Sequence, residues 1–571
     1  MKHFRDLIEC LESAPADRPF ITFWVDEDEQ ETVTFGQFRQ RSLAHAKLLA
    51  DSGVATGDRI VIIMPQGISC MAAFVGAMIL GAVPAFLAYP NFKVEPSKYR
   101  SGLSGVTSNL NAKLVIIDDA FPEEMLGCVS LSDGTRLLKL SDARPSAGDR
   151  GTGSVRREPE GLAFIQHSAG TTGLQKGVAL THSAVLKQID HLANALQVDE
   201  ARDVIYSWLP LYHDMGLIAC FMLPMVCHLP LVMQSPLDWV MHPETMLQII
   251  TEHRCTLAWM PNFAFQFVPR RTPHARRQRY DLSSVRALIN CSEPVRANSM
   301  NEFEQAFSSI GLKSNALQAS YAMAENVFAV TQSDTHQPRS ATRISADAQQ
   351  FRTKQLVISA PEGNPGTVVF ESSGKLLPEN EVRIVNEAGG QLGDGEVGEI
   401  LTRSDSLFQG YYNRPDLTAT ALVDGWYHSG DLGFSLRGEL YVVGRKKDLL
   451  IVGGENVYPQ DIEEIAAAHP AIHDGRVVAL GIYNPDLGTE DIVVVAEVEP
   501  DESLTNSAEC ESQIRSLIVS GLGLAVRTIF LKPPKWIVKS TAGKAARAGT
   551  REKLLAEHPE LRLATGGNAT V

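Results

Sequence analysis

From residue 20 to about 440, short β-branched runs alternate with stretches long enough for helices, as at Arg59-Ile60-Val61-Ile62-Ile63 and Lys113-Leu114-Val115-Ile116-Ile117. Strands alternating with helices are the grammar of α/β domains. Segment 183–197 places Val185, Ile189, Leu192 and Leu196 at spacings of four, three and four, which predicts one apolar stripe on a helix. The apolar stretch from Cys70 to Ala88 is long enough to span a membrane, but Gly81 reads as a helix terminator and Pro84 would break a helix that continued. A buried helix over about 67–81 followed by a buried strand over 83–88 is expected instead, with no integral membrane contact.

The pattern changes at GRKKD, 444–448. Beyond it Pro459 opens a helix carrying Ile462 and Ile465, strands are expected at about 476–482 and 491–498, a helix at about 510–521 and a strand at 526–531. At 571 residues the chain exceeds what one core serves. The fold class expected is α/β: a large N-terminal domain of layered sheets and helices, 1–443, and a small α+β C-terminal domain, 448–571.

Composition narrows the partners. The apolar and charged fractions, 44% and 21%, are those of folded globular proteins. Lys and Arg number 52 against 67 Asp and Glu, and 52 − 67 gives −15, a field that repels nucleic acid and anionic membrane surfaces. Screening over roughly 8 Å still lets a local basic pocket bind a triphosphate. The eight cysteines lack the paired spacing of a zinc site or a disulfide framework, and MKHFRDLIECLESAPADRP lacks the apolar centre of a secretory signal, so a cytoplasmic location is expected. The basic run PRRTPHARRQR, 269–279, reads either as a solvated loop or as a dock for an acidic carrier protein.

The segment QHSAGTTGLQKGVALTH, 166–182, follows the apolar run Leu162-Ala163-Phe164-Ile165 and precedes the amphipathic helix. Small residues at Ser168, Ala169, Gly170 and Gly173 let backbone N–H groups approach phosphate oxygens, Thr171 and Thr172 offer hydroxyls, and Lys176 offers a cation. The Walker pattern is absent, because there Gly and Lys adjoin and Ser or Thr follows.

Six further segments occur in order: WLPLYHDMGL (208–217), NCSEPV (290–295), SYAMAE (320–325), YHSGDLG (427–433), GRKKDLLIVGGENVYPQDIE (444–463) and STAGK (540–544). With the 166–182 segment they resemble the adenylate-forming superfamily of acyl-CoA synthetases, peptide-synthetase adenylation domains and luciferases, most closely the fatty acyl-AMP ligases. The resemblance implies ATP and Mg²⁺ as cofactors and adenylation of a carboxylic acid, with pyrophosphate released. Lys544 would bridge the carboxylate and the α-phosphate, and Glu325, with Thr171, would hold Mg²⁺. The 168–176 loop would grip the β- and γ-phosphates. Asp431 and Arg445 would meet the ribose, and Tyr321, between Ser320 and Ala322-Met323, would stack on adenine beside Ser292, Glu293 and Pro294. His213 would guide the carboxylate or gate a substrate pocket formed by Trp208, His213, Asp214, Met215, Gly216 and Phe263. Lys447 would be the hinge, within 444–447, of a mobile C-terminal domain. Ala169, Gln175 and Ala322 depart from the commoner Ser, Pro and Gly, and none of these changes removes a charge.

The phrases WLPLYHDMGL, PNFAFQF (261–267) and NCSEPVRANSMNEFEQAF (290–307) lean toward fatty acyl-AMP ligases, which pass the acyl group to the phosphopantetheine thiol of an acyl-carrier protein. VGGENVYP (452–459) looks more like coenzyme A ligases, and the acceptor stays open between the two. A fatty acid is the first expectation for the substrate. A degenerate nucleotide-binding module without catalysis is the alternative from another class, and the retention of Lys176, Glu325, Asp431, Arg445 and Lys544 speaks against it.

Overall fold

The computed structural model describes residues 4–26, 28–90, 96–119, 121–126, 135–140, 157–167, 176–364, 366–484, 487–498, 507–539 and 545–563. They form two compact units, each assembled from three chain segments. Unit 1 comprises Met1–Thr342, Ser372–Val382 and Thr402–His428; unit 2 comprises Arg343–Glu371, Arg383–Leu401 and Ser429–Val571.

Unit 1 is layered α/β. One sheet runs in the order Leu317–Ala319, Ala287–Asn290, Leu257–Met260, Ile205–Ser207, Leu231–Gln234, Pro19–Trp24, Gln30–Thr34, parallel except for its last pair. A second, wholly parallel sheet runs Val83–Phe86, Arg59–Ile63, Leu114–Ile117, Arg136–Lys139. Its central strands are the β-branched runs seen in the sequence. Ile60 and Ile62 enter the main core while Val61 and Ile63 enter a second one, which is why the run is apolar without alternation.

The helix Ile68–Ile79 is buried at every position but Ser69, and the strand Val83–Phe86 follows it at the sheet's edge, where Pro84 costs no central ladder bond. No described helix is long and apolar enough to cross a membrane. In the helix His182–Ala195 and its C-cap, Val185, Ile189, Leu192 and Leu196 are fully buried, and the Thr181 hydroxyl accepts the Ala184 N–H at the start. The basic run is not a plain loop. It holds the end of helix Ala264–Arg271 and the turn His274–Arg277; Arg270 forks onto Glu302, and Arg277 donates to the Pro269 and Thr272 carbonyls.

In unit 2 the strands Ile472–Asn484 and Thr489–Val498 pair antiparallel and Val526–Lys532 joins in parallel, with helices Pro459–Ala467, Ser507–Leu522 and Arg547–Glu557. All but the helix Arg547–Glu557 match elements read from the sequence. Compactness, however, divides the chain elsewhere than at 443/444. Phe351, from a segment far upstream, stacks on Tyr458 at 5.2 Å and shares a core with Leu432, Phe434, Tyr441 and Val443. Compactness says nothing of motion, and Lys447 lies exposed on the helical turn Lys446–Asp448.

Candidate active site

The predicted phosphate loop rises from the strand Leu162–His167 and returns into Gly177–Thr181, its antiparallel neighbour. Ser168, Gly170, Thr171, Thr172 and Gly173 lie outside the described residues, as does Lys544. Lys176 is described. The strand Gly410–Tyr411 pairs antiparallel with Ala179 and Val178, which sets the Tyr411 ring beside the Lys176 ammonium, Nζ 4.5 Å from the ring centroid.

The same tyrosine donates its hydroxyl to Glu325 Oε1 at 2.7 Å, and the Tyr427 hydroxyl lies 3.3 Å from it. Burial, followed by the Glu325 charge, pushes both phenols well above their ordinary pKa, so both stay protonated donors. Lys176 and Glu325, far apart in sequence, thus meet on one aromatic side chain that sequence reasoning missed. The segment QGYYNRPD reads as turn chemistry, and only Gly410, Asn413 and Pro415 stand out in it.

Glu325 sits on a short helical turn, Ala324–Asn326, at the tip of a loop closed by two hydrogen bonds from Val330 and Thr331 N–H to the Tyr321 carbonyl. Directly after it Val327 adopts φ 62° and ψ −53°, a γ-turn closed by Phe328 N–H to Asn326 O at 2.6 Å. A β-branched residue there is strained, at a cost of about 1–3 kcal/mol. Fully buried amides hold it: Asn326 Nδ2 donates to Ala329 O at 2.8 Å and Asn380 Oδ1 at 3.0 Å, Ser404 donates to Asn326 Oδ1, and Gln188 Oε1 accepts the Phe328 N–H. A fixed carboxylate is the result.

Ser320 is tied by its N–H to Asn290 O and by its hydroxyl to Thr331 O, which fixes the approach to Tyr321, Ala322 and Met323. Tyr321 is buried to 8% exposure. Ser292 has a left-handed φ of 71°, and its hydroxyl lies 4.0 Å from Met215 Sδ. Glu293 accepts the Phe263 N–H at 3.1 Å, and Pro294 follows it half-buried. The stretch predicted to flank adenine therefore touches two residues predicted for the acid pocket.

On the pocket side His213 Nδ1 lies 2.6 Å from Asp214 Oδ1. Asp214 also accepts the Met215 N–H at the head of the π-helical turns Met215–Met222, a rare geometry frequent at functional sites. Gly216 is required there, since a Cβ would lie 2.3 Å from the Pro210 carbonyl oxygen. Trp208 stacks on Trp239 at 3.6 Å, with Phe263 edge-on at 6.3 Å and partly exposed.

In unit 2 Asp431 and Arg445 face each other across antiparallel strands, Nε 3.3 Å from Oδ1. Ser429 donates to the Ile400 carbonyl and accepts the Asp431 N–H, which fixes the aspartate's backbone. Among the described residues no three His, Cys, Asp or Glu are grouped to hold a metal. A hard cation at Glu325 would draw its other ligands from water and phosphate oxygens, the usual arrangement for Mg²⁺.

This layered α/β fold, with a cation and a braced carboxylate joined through one tyrosine beside a glycine-rich loop, is the frame of an AMP-binding enzyme. Residues 9–412 match the AMP-binding enzyme family, and the chain belongs to it. It is 29% identical, over 92% of its length and 86% of the relative's, to the 4-hydroxyphenylalkanoate adenylyltransferase of Mycobacterium tuberculosis. To the long-chain-fatty-acid–AMP ligase FadD32 of Mycolicibacterium smegmatis it is 28% identical, over 94% and 91% of the two chains. A solved structure from the fatty acyl-adenylate ligases of E. coli and L. pneumophila is similar across 98% of each chain, with TM-score 0.88 and 26% identity.

Proposed function

We propose that this enzyme adenylates a carboxylic acid, a fatty acid first among candidates, and passes the acyl group to the phosphopantetheine thiol of an acyl-carrier protein. A carboxylate oxygen attacks the α-phosphorus of ATP, the α–β bridging bond breaks and pyrophosphate leaves. The thiol then attacks the acyl carbonyl and AMP departs. The observation that carries this reading is the convergence of Lys176 and Glu325 on Tyr411 in an AMP-binding enzyme. Relatives bearing the names fatty-acid–AMP ligase and adenylyltransferase support the acid and the product.

Two anions must be brought together in the first step, so positive charge is the chief requirement. Lys176 serves the β- and γ-phosphates with the 168–175 backbone, and Lys544 serves the carboxylate and α-phosphate. Mg²⁺, when bound, supplies charge neutralisation at the phosphate oxygens, and the buried, hydrogen-bonded carboxylate of Glu325 suits it. Tyr321 stacks on adenine beside Ser292, Glu293 and Pro294, Asp431 accepts the ribose hydroxyls, and His213 orients the carboxylate. Lys447 is the pivot that withdraws Lys544 before thioester formation.

Coenzyme A as acceptor is the second reading, favoured only by VGGENVYP at 452–459. Mass analysis of products from ATP, a fatty acid and either coenzyme A or a phosphopantetheinylated carrier protein separates the two. Acyl-carrier as the product supports the first reading, and acyl-coenzyme A alone overturns it.

A further inference from the structure

We infer that Tyr411 is a positioning residue that fixes the Glu325 carboxylate for the metal and, through its ring, ties that carboxylate to the phosphate-loop lysine. The inference rests on the proposed reading and goes beyond it.

The tyrosine is gripped by the protein's own groups. Its strand partner is Val178, its N–H donates to the Thr418 hydroxyl at 2.9 Å, and the Tyr412 N–H donates to the Gly177 carbonyl at 2.7 Å. The root of the phosphate loop and the Tyr411 backbone are therefore one piece of antiparallel sheet. From this base the segment Phe408–Tyr411 holds Glu325 twice, by the Phe408 N–H to its carbonyl at 2.8 Å and by the phenol to its carboxylate. Phe408 packs edge-on against both Tyr411 and Tyr427, which locks the phenol pair.

The two faces of Tyr411 do different work. Its hydroxyl orients one carboxylate oxygen and withdraws some of its charge, and removing that donor leaves the carboxylate held by the Tyr427 phenol with one bond fewer. Its ring face receives the Lys176 ammonium, an attraction that phenylalanine keeps and leucine loses. The substitutions Tyr411→Phe and Tyr411→Leu thus separate the metal from the phosphate lysine.

Calorimetric titration with MgATP and with ATP in excess EDTA tests the assignment, with melting temperature recorded for each variant. Tyr411→Phe is expected to weaken MgATP binding roughly tenfold, the loss of one hydrogen bond to a charged group, and to leave metal-free ATP within about twofold. Tyr411→Leu is expected to weaken both. If Tyr411→Phe does not fold, Tyr427→Phe loosens the same phenol pair, and a smaller loss confined to MgATP is expected. Equal weakening of both forms, or none, overturns the assignment. Wild-type protein that binds neither form of ATP overturns the proposed function instead, so the two failures are distinguishable.

Discussion

The charged groups of the candidate site are held differently in the two units. In unit 1 Glu325, Tyr411 and Tyr427 are all under 9% exposed; the Tyr411 hydroxyl bonds Glu325 and lies against the Tyr427 hydroxyl, and Asn326, next to Glu325, is anchored in a buried amide network. In unit 2 the Arg445 side chain is 55% exposed and meets Asp431 across a strand pair, at a distance where a surface ion pair contributes at most about 1 kcal/mol. The first arrangement is held by protein groups and buried. The second leaves its arginine more than half exposed. A catalyst needs both: fixed dipoles toward the departing phosphates, and groups that engage for one step and release for the next.

The largest effect should come from a lysine that the proposed mechanism aims at the reacting carboxylate and α-phosphate. Lys544→Ala removes a cation aimed at developing negative charge, and adenylate formation is expected to fall roughly 10²- to 10³-fold with the melting temperature unchanged. A fall in melting temperature alongside activity would mean that the lysine supports the fold.

Acid should separate the units next. Burial pushes His167 and His182, both in unit 1, down to about 4. The unfolded chain takes up their protons near pH 6.5 and the native chain does not, so stability is lost as pH falls from about 6.5 toward 4, by on the order of 3 kcal/mol per histidine. Hydrogen exchange across that window is expected to rise in unit 1 before unit 2.

Gly216→Ala should destabilise unit 1 by about 1–3 kcal/mol through the collision with the Pro210 carbonyl, read as a lower denaturation midpoint. The smallest effect is expected from Asp431→Asn, which keeps the shape and removes the charge. The KM for ATP should rise several-fold, about 1 kcal/mol by the difference between a charged and a neutral hydrogen bond, with stability unmoved because the pair is a surface one.

Local pattern carried much of this fold. The runs at 59–63 and 113–117, the stripe Val185-Ile189-Leu192-Leu196 and nearly every element after Pro459 follow from periodicity and end signals that lie within one segment. The second role of the segments 343–371 and 383–401, as parts of unit 2, could not be read that way. Phe351 on Tyr458 is a long-range packing with no periodic signature. The candidate site divides likewise. Lys176 and Glu325 stand in motifs, but Tyr411 acquires its role only when its strand settles beside Val178. Asn326, Gln188, Asn380 and Ser404 are unremarkable polar residues until folding buries them together. The left-handed Val327 is hidden for the opposite reason, since a β-branched residue is among the last to be expected in a γ-turn.

The central claim is that a carboxylate is joined to the α-phosphate of ATP with pyrophosphate released. Exchange of labelled pyrophosphate into ATP, measured with and without a panel of acids of increasing chain length, tests it most directly. The account predicts exchange that requires both an acid and Mg²⁺ and that peaks at one range of chain length. Exchange that proceeds equally without any acid, or that no acid in the panel elicits from folded protein, would contradict it.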